Sequence, residues 1–331
     1  MRRGIGTDLA TGPLAVILGL TLAALGGCKK KSSNVNPWAR ALPKSTAAYG
    51  LPQVADAKVT VSRRQLLVSG KPLLKLKDGR LQKTALRDGV DGLYVPTLAS
   101  ALRPLANQRL DGGASHGRLA IYCQPAVPFR TLRAVLYTAM RSGFKRPWLV
   151  AEGASGKRVG LPLELPSVPS DQGHGLRPSP TRTPALAIGY DGKMLHVTRW
   201  GRSECPPGQA MGPAGCASLG AGLNKASLAK LSAHLLSRYR TSTLRPGRRR
   251  PPSNAIMVWA GLDVTVGDFV RLVDAAREAP GGAGSCNLAP DAKTHHWKRT
   301  SPVLDPTGKS NQGCLYHQTV LVWSKPGHRK K

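Results

Sequence analysis

The sequence predicts an α+β protein made of two tandem β-β-α-β-α-β units, and three observations carry that expectation. Two regions, 57–151 and 185–324, show the same succession of short β-prone runs and amphipathic helical stretches. Residues 119–139 align without a gap on 256–276, an offset of 256 − 119 = 137. A Pro/Gly/Ser-rich stretch at 152–184 reads as the linker between the two regions.

The chain opens with Met1-Arg2-Arg3 and an apolar run from Leu14 to Leu25. That run is about a dozen residues long, short of the ~20 that cross a bilayer. Leu25-Gly26-Gly27-Cys28 follows and resembles the lipobox of bacterial lipoproteins. The resemblance implies a signal peptide at 1–27 and acylation of Cys28 as the first mature residue. Residues 28–56, rich in Lys, Ser, Asn, Pro and Ala, read as a flexible stalk, about 30 Å across as a coil.

Region one begins with Val59-Thr60-Val61 and Leu66-Leu67-Val68. Region two begins with Leu186-Ala187-Ile188 and Met194 to Val197, with Asp191-Gly192 between them as a hairpin signal. Leu98, Ala101, Leu102 and Leu105 then share one helical face, which Pro104 is expected to shorten or kink. Leu228, Leu231 and Leu235 take the equivalent place. The strand Leu119 to Cys123 matches Ile256 to Ala260, and the helix face Leu132, Val135, Leu136, Ala139 matches Phe269, Leu272, Val273, Ala276. Val127-Pro128-Phe129 and Val264-Thr265-Val266 are the turns before these helices. Each region closes on an apolar run, Pro147 to Val150 and Tyr316 to Trp323. A tandem duplication accounts for the correspondence.

The composition is strongly basic, with 49 Lys and Arg against 17 Asp and Glu, a formal charge of +32. Loss of Arg2, Arg3 and Asp8 with the signal peptide lowers it by one. Export argues against nucleic acid and leaves lipid head groups, lipopolysaccharide phosphates and peptidoglycan carboxylates as anionic partners. The densest basic patch is Arg245, Arg248, Arg249 and Arg250, and a basic tail at 325–331 follows region two. Lys29-Lys30 after the lipidated cysteine differs from the acidic retention signal of some lipoproteins. The expected location is therefore the periplasmic side of the outer membrane.

In an oxidising compartment Cys205 with Cys216, and Cys286 with Cys314, each bracket a polar loop too poor in apolar residues to pack itself. Local disulfides are expected in both. Cys123 reads as a buried thiol in an apolar run. The rival for the second pair is a metal site with His295, His296 and His317, but the sulfurs cannot serve both, and the compartment favours the disulfide. No metal or cofactor is expected. The sequence holds no G-x-S-x-G, H-E-x-x-H, P-loop or C-x-x-C, and Glu164, Asp171 and His174 fall in the linker, so no enzyme is expected.

The strand at 119–123, the run Gln124 to Phe144 and the closing Arg146 to Val150 resemble the periplasmic domain of the ExbD/TolR family of accessory subunits in proton-driven envelope machines. Val127, Pro128, Phe129, Ala139 and Gly143 carry the likeness, and Gln124 stands near a usual acidic place. Region two is a divergent copy, with Thr265 for the proline and an insertion before its last strand. Family members have a membrane-spanning helix with a proton-carrying aspartate. Here Asp8 precedes the apolar run and no carboxylate lies within it, so the likeness implies no proton conduction. It implies instead a non-catalytic accessory or scaffold component of a biopolymer-transport or motility system. Such a component works by binding protein partners or peptidoglycan, with homodimerisation and added strands as the family's means. The alternative is direct binding of an anionic envelope polymer through the basic surface.

Overall fold

The computed structural model describes residues 41–46, 50–51, 55–87, 92–107, 117–164, 186–199, 217–243, 255–278, 286, 288–290, 297–299, 314–316 and 318–321. In the first half, β1 (Ala57–Val61) buries Ala57, Val59 and Val61 by simple alternation. Ser69 and Gly70, both at positive φ, turn β2 (Gln65–Val68) back into β3 (Lys71–Lys75). Then come α1 (Pro96–Asn107), β4 (Arg118–Cys123), α2 (Phe129–Arg141), β5 (Arg146–Glu152) and β6 (Arg158–Pro162). The second half runs β7 (Leu186–Tyr190), β8 (Met194–Arg199), β9 (Ala217–Ala221), α3 (Lys225–Thr243), β10 (Ala255–Ala260) and α4 (Val266–Arg277). A small antiparallel hairpin, β11 (Leu288–Pro290) with β12 (Trp297–Arg299), precedes β13 (Gln318–Leu321).

The molecule is α+β, with two mixed sheets ordered β3-β2-β1-β4-β5-β6 and β13-β10-β7-β8-β9. The second order, reversed, repeats the first as far as β5. The pairing directions also agree: β1 with β2 and β7 with β8 are antiparallel, while β4 between β1 and β5, and β10 between β7 and β13, are parallel. The two halves therefore share a core of β-β-β-α-β-α-β, one strand more than expected. The added strands β3 and β9 lie at sheet edges. In β3 the leucines are only half-buried between exposed lysines, and Pro72 sits beside a bulge opposite Leu66/Leu67, the marks of an edge strand. Two further differences concern segments without an expected element. β6 forms inside the stretch expected as a linker, and Leu42 from the expected stalk packs on Ala120, Trp148 and Val150.

Helix ends follow their local chemistry. α1 continues through Pro104 to Asn107. α2 closes with Gly143 at φ 104°, its amide bonded to Met140 O while the Phe144 amide reaches Ala139 O. That is a Schellman closure, with the buried Phe144 as its apolar contact. α4 starts on Thr265, whose hydroxyl accepts from the Asp268 amide. Among the described residues no helix is long and apolar enough to cross a membrane. One hydrophobic core spans both halves, from Val59, Ile121 and Leu132 to Ile188, Val258 and Leu272.

Candidate binding groove

The two turns singled out in the sequence meet each other. Pro128 bridges Thr265 in antiparallel fashion. The Phe129 amide donates to Val264 O at 2.7 Å, and the Val266 amide to Val127 O at 2.9 Å. The Arg130 amide donates to Leu262 O at 3.0 Å, and the Gly267 amide to Pro125 O at 2.9 Å. Adding 137 to the donor's number and subtracting 137 from the acceptor's turns one bond of each pair into the other, so the junction has a local two-fold within one chain. These bonds satisfy amides at the starts of α2 and α4 that the helices cannot satisfy themselves. Phe129 packs against Phe269 with ring centroids 4.8 Å apart and the rings tilted by 34°. Val127, Pro128 and Phe129 are therefore buried in an internal seam. Gly143 closes α2, as above.

On either side of the seam, the outward faces of α2 and α4 differ. Over α2 lies the turn at Lys77–Arg80, whose Gly79 carbonyl accepts from the Thr131 hydroxyl at 2.7 Å. Gly79 sits at φ 77°, and a Cβ there would come within 2.9 Å of Pro128 Cδ, so only glycine permits this approach. In the second half β9 passes into α3 through Gly222–Asn224 alone, with no such turn. A groove of about 910 Å³ runs along α4, lined by Leu228, Ala229, Gly267, Asp268, Arg271 and Ala275 among others. Asp268 occupies the place of Thr131, and it pairs with Arg271 at 3.1 Å.

The far end of the groove is formed by Lys44, Ser45 and Thr46. The Ser45 amide and the Glu152 carbonyl bond at 2.8 Å, and the Glu152 amide donates to Pro43 O at 2.9 Å, so this strap extends β5. On α4, Asp274 accepts from the Ser45 hydroxyl at 2.9 Å and the Thr46 amide at 3.0 Å. The Thr46 hydroxyl donates to Glu278 at 2.7 Å. Burial pushes the Asp274 carboxyl up to about 7, and the Glu278 charge adds to this. The strap's hydrogen bonds and Arg277 act in the opposite sense. Arg277, fully buried, donates from Nε to Thr319 Oγ1 at 2.8 Å and from Nη2 to Pro162 O at 2.7 Å. It thus ties β6 of the first half to β13 of the second. Glu164 also pairs with β13, through Glu164 N to Thr319 O and Leu321 N to Glu164 O.

Cys286 and Cys314 form a disulfide closing 28 residues of chain, so their sulfurs cannot hold a metal. Cys123 is a buried free thiol, its acidity suppressed by burial. Cys28, Cys205, Cys216 and the patch Arg245, Arg248, Arg249 and Arg250 lie outside the described residues. Among the described residues no cluster of three or more His, Cys, Asp or Glu is placed to hold a metal. Sequence reasoning passed over Asp274, Glu278 and Arg277. The available signal was charge at every third or fourth position on an otherwise apolar helix, in a chain with few acids.

No family model, no curated protein and no solved structure matches the chain.

Proposed function

We propose that this chain is a non-catalytic envelope protein, held to the membrane by acylated Cys28. It serves as an accessory or scaffold component of an energised biopolymer-transport or motility system. It acts by docking a short segment of a protein partner into the groove along α4. One observation carries the reading: the chain's own Lys77–Arg80 turn covers the equivalent face of α2 and leaves only a cavity of about 260 Å³, while among the described residues α4 borders a groove of about 910 Å³. The filled half supplies the template for the occupant, a turn that brings one carbonyl to the helix and a basic residue to the seam, as Arg80 does beside Asp263 at 3.1 Å. Asp268, in the place of Thr131, supplies matching negative charge in the open half. The likeness of 57–151 to the ExbD/TolR module supports the choice of system.

A photo-crosslinking amino acid at Leu228 in the full chain tests this in intact envelopes. The expected product is one crosslinked partner, lost on Ala229→Trp and weakened by Asp268→Lys, and absent when the crosslinker stands at the exposed Lys71. The same products from Lys71 as from Leu228, or none from Leu228, would refute the reading. Binding of an anionic envelope polymer is the second reading, favoured by the +32 charge. Sedimentation with purified peptidoglycan, with and without Arg248→Glu, Arg249→Glu and Arg250→Glu, tests it.

A further inference from the structure

The strap at Pro43–Thr46 joins the two halves by two attachments of different chemistry. On the first half it extends a strand: the Ser45 amide donates to Glu152 O and the Glu152 amide to Pro43 O, while Leu42 packs on Trp148. Neither contact uses a charged side chain. On the second half the strap bonds to carboxylates. Asp274 accepts from the Ser45 hydroxyl at Oδ1 and the Thr46 amide at Oδ2, and Glu278 accepts from the Thr46 hydroxyl. The two acids stand one helical turn apart on α4, both buried, where like charges oppose each other. The charged groups around them are Lys44 of the strap and Asp268, Arg271 and Arg277 of α4, with Arg277 bonded to Thr319 and Pro162. From α3 the polar group lining the groove is the Ser232 hydroxyl, which donates to Ala275 O. The adjoining stretches 47–49 and 279–285 contain no Asp, Glu, His, Lys or Arg. In α2 the offset of 137 puts Tyr137 and Arg141 at these places, so the acid pair belongs to the half with the larger groove.

We propose that the strap is a releasable latch on the groove, held at its Ser45–Thr46 end by a proton on Asp274. The bonding geometry serves the neutral acid. A serine hydroxyl accepts as well as donates. With the proton on Oδ1, Asp274 donates to Ser45 Oγ while Oδ2 keeps the Thr46 amide, and no bond is lost. When the proton leaves, this end detaches from α4, while Leu42 and the pairing with Glu152 keep the strap on the first half. Under the strap, burial pushes the Asp274 carboxyl up to about 7. In contact with water it returns toward ~3.9. Closing therefore takes up a proton, and the hold declines as pH rises from about 4 to about 7 and is then level. Release adds the two carboxylates to the accessible lining of the groove. A basic partner segment then meets more negative charge at pH 8 than at pH 5. That last consequence rests on the docking reading above, whereas the latch does not.

Amide hydrogen exchange of the full chain, followed by NMR at pH 5 and pH 8 and corrected for the intrinsic rate, tests the latch. We expect protection of the Thr46 amide to fall about tenfold or more from pH 5 to pH 8. Protection of the Glu152 amide, bonded to Pro43 O, should hold. Asp274→Asn, whose side-chain amide makes the bonds of the protonated acid, should keep Thr46 protected at both values. Ser45→Ala leaves the acid in place and should lower Thr46 protection at pH 5 toward the pH 8 value. Equal protection of Thr46 at both pH values in the parent, the same fall in Asp274→Asn, or a parallel fall at Glu152 would overturn the proposal. None of these readouts needs a partner, so a failed crosslink from Leu228 beside a working latch refutes the docking reading alone.

Discussion

The two halves share strand order and pairing, yet they differ wherever one of them has to meet something else. Tyr122 of β4 sits across from Thr60 of β1, whereas Trp259 of β10 sits across from Gly189 of β7. A Cβ on Gly189 would fall 1.7 Å from the indole, so the larger ring is accommodated by removing its neighbour's side chain. The first half covers most of the face of α2 with a turn, while among the described residues the second half leaves a larger groove along α4 and receives a strap from the N-terminal segment. The second half alone carries the disulfide-bounded insertion between its last helix and last strand. The lesson is that strand order and pairing are kept, with one compensated swap inside the sheet at Gly189 and Trp259, while edges and outward helix faces carry the rest of the divergence. Those are the places where a sequence change costs no core packing.

The strongest way to break the comparison is at the seam. Phe129→Ala removes a fully buried ring packed against Phe269 and should destabilise by about 3–5 kcal/mol. Because one core spans both halves, a single denaturation transition should shift as a whole. Two separated transitions, seen by fluorescence and circular dichroism, would show the halves to be independent. A smaller effect sharpens the strand comparison. Gly189→Thr should cost about 1–3 kcal/mol, and adding Trp259→Tyr should restore part of it by recreating the Thr60–Tyr122 pair. No recovery in the double variant would mean that the two rows are not equivalent.

The smallest effect depends on pH and concerns only the second half. The unfolded Asp274 carboxyl releases its proton near 3.9, but the native one holds it to about 7. The native state thus carries the extra proton between those values, so this group's contribution declines as pH rises from about 4 to about 7 and is then level. Asp274→Asn should match the parent's Tm near pH 4 and exceed it near pH 8. Parallel melting curves at the two pH values would show that Asp274 is not perturbed.

Much of this pattern was legible in the sequence. β4 at Arg118–Cys123 and β10 at Ala255–Ala260 obey the 137 offset at both ends, and α2 and α4 begin in step at Phe129 and Val266. Their apolar periodicity is strong because they are buried, which makes such elements readable. The edge strand β3 escapes a sequence reading because its residues are exposed or half-buried and leave no clean alternation. β6 lay hidden in a glycine- and proline-rich stretch. The strap was invisible for a different reason: Ser45 and Asp274 are 229 positions apart, and nothing local marks a polar segment for such a partner. The turn Val127-Pro128-Phe129 was found, but its role was not. It meets Val264-Thr265-Val266 of the same chain, and only the three-dimensional arrangement reveals that encounter.

The mirrored bonds at the seam have a consequence for stoichiometry. Two separate copies joined this way would hold together only as far as their abundance allowed, and both would offer the same faces. Fused in one polypeptide, the pair assembles at any dilution. Each side is then free to specialise, one carrying Asp268 where the other carries Thr131.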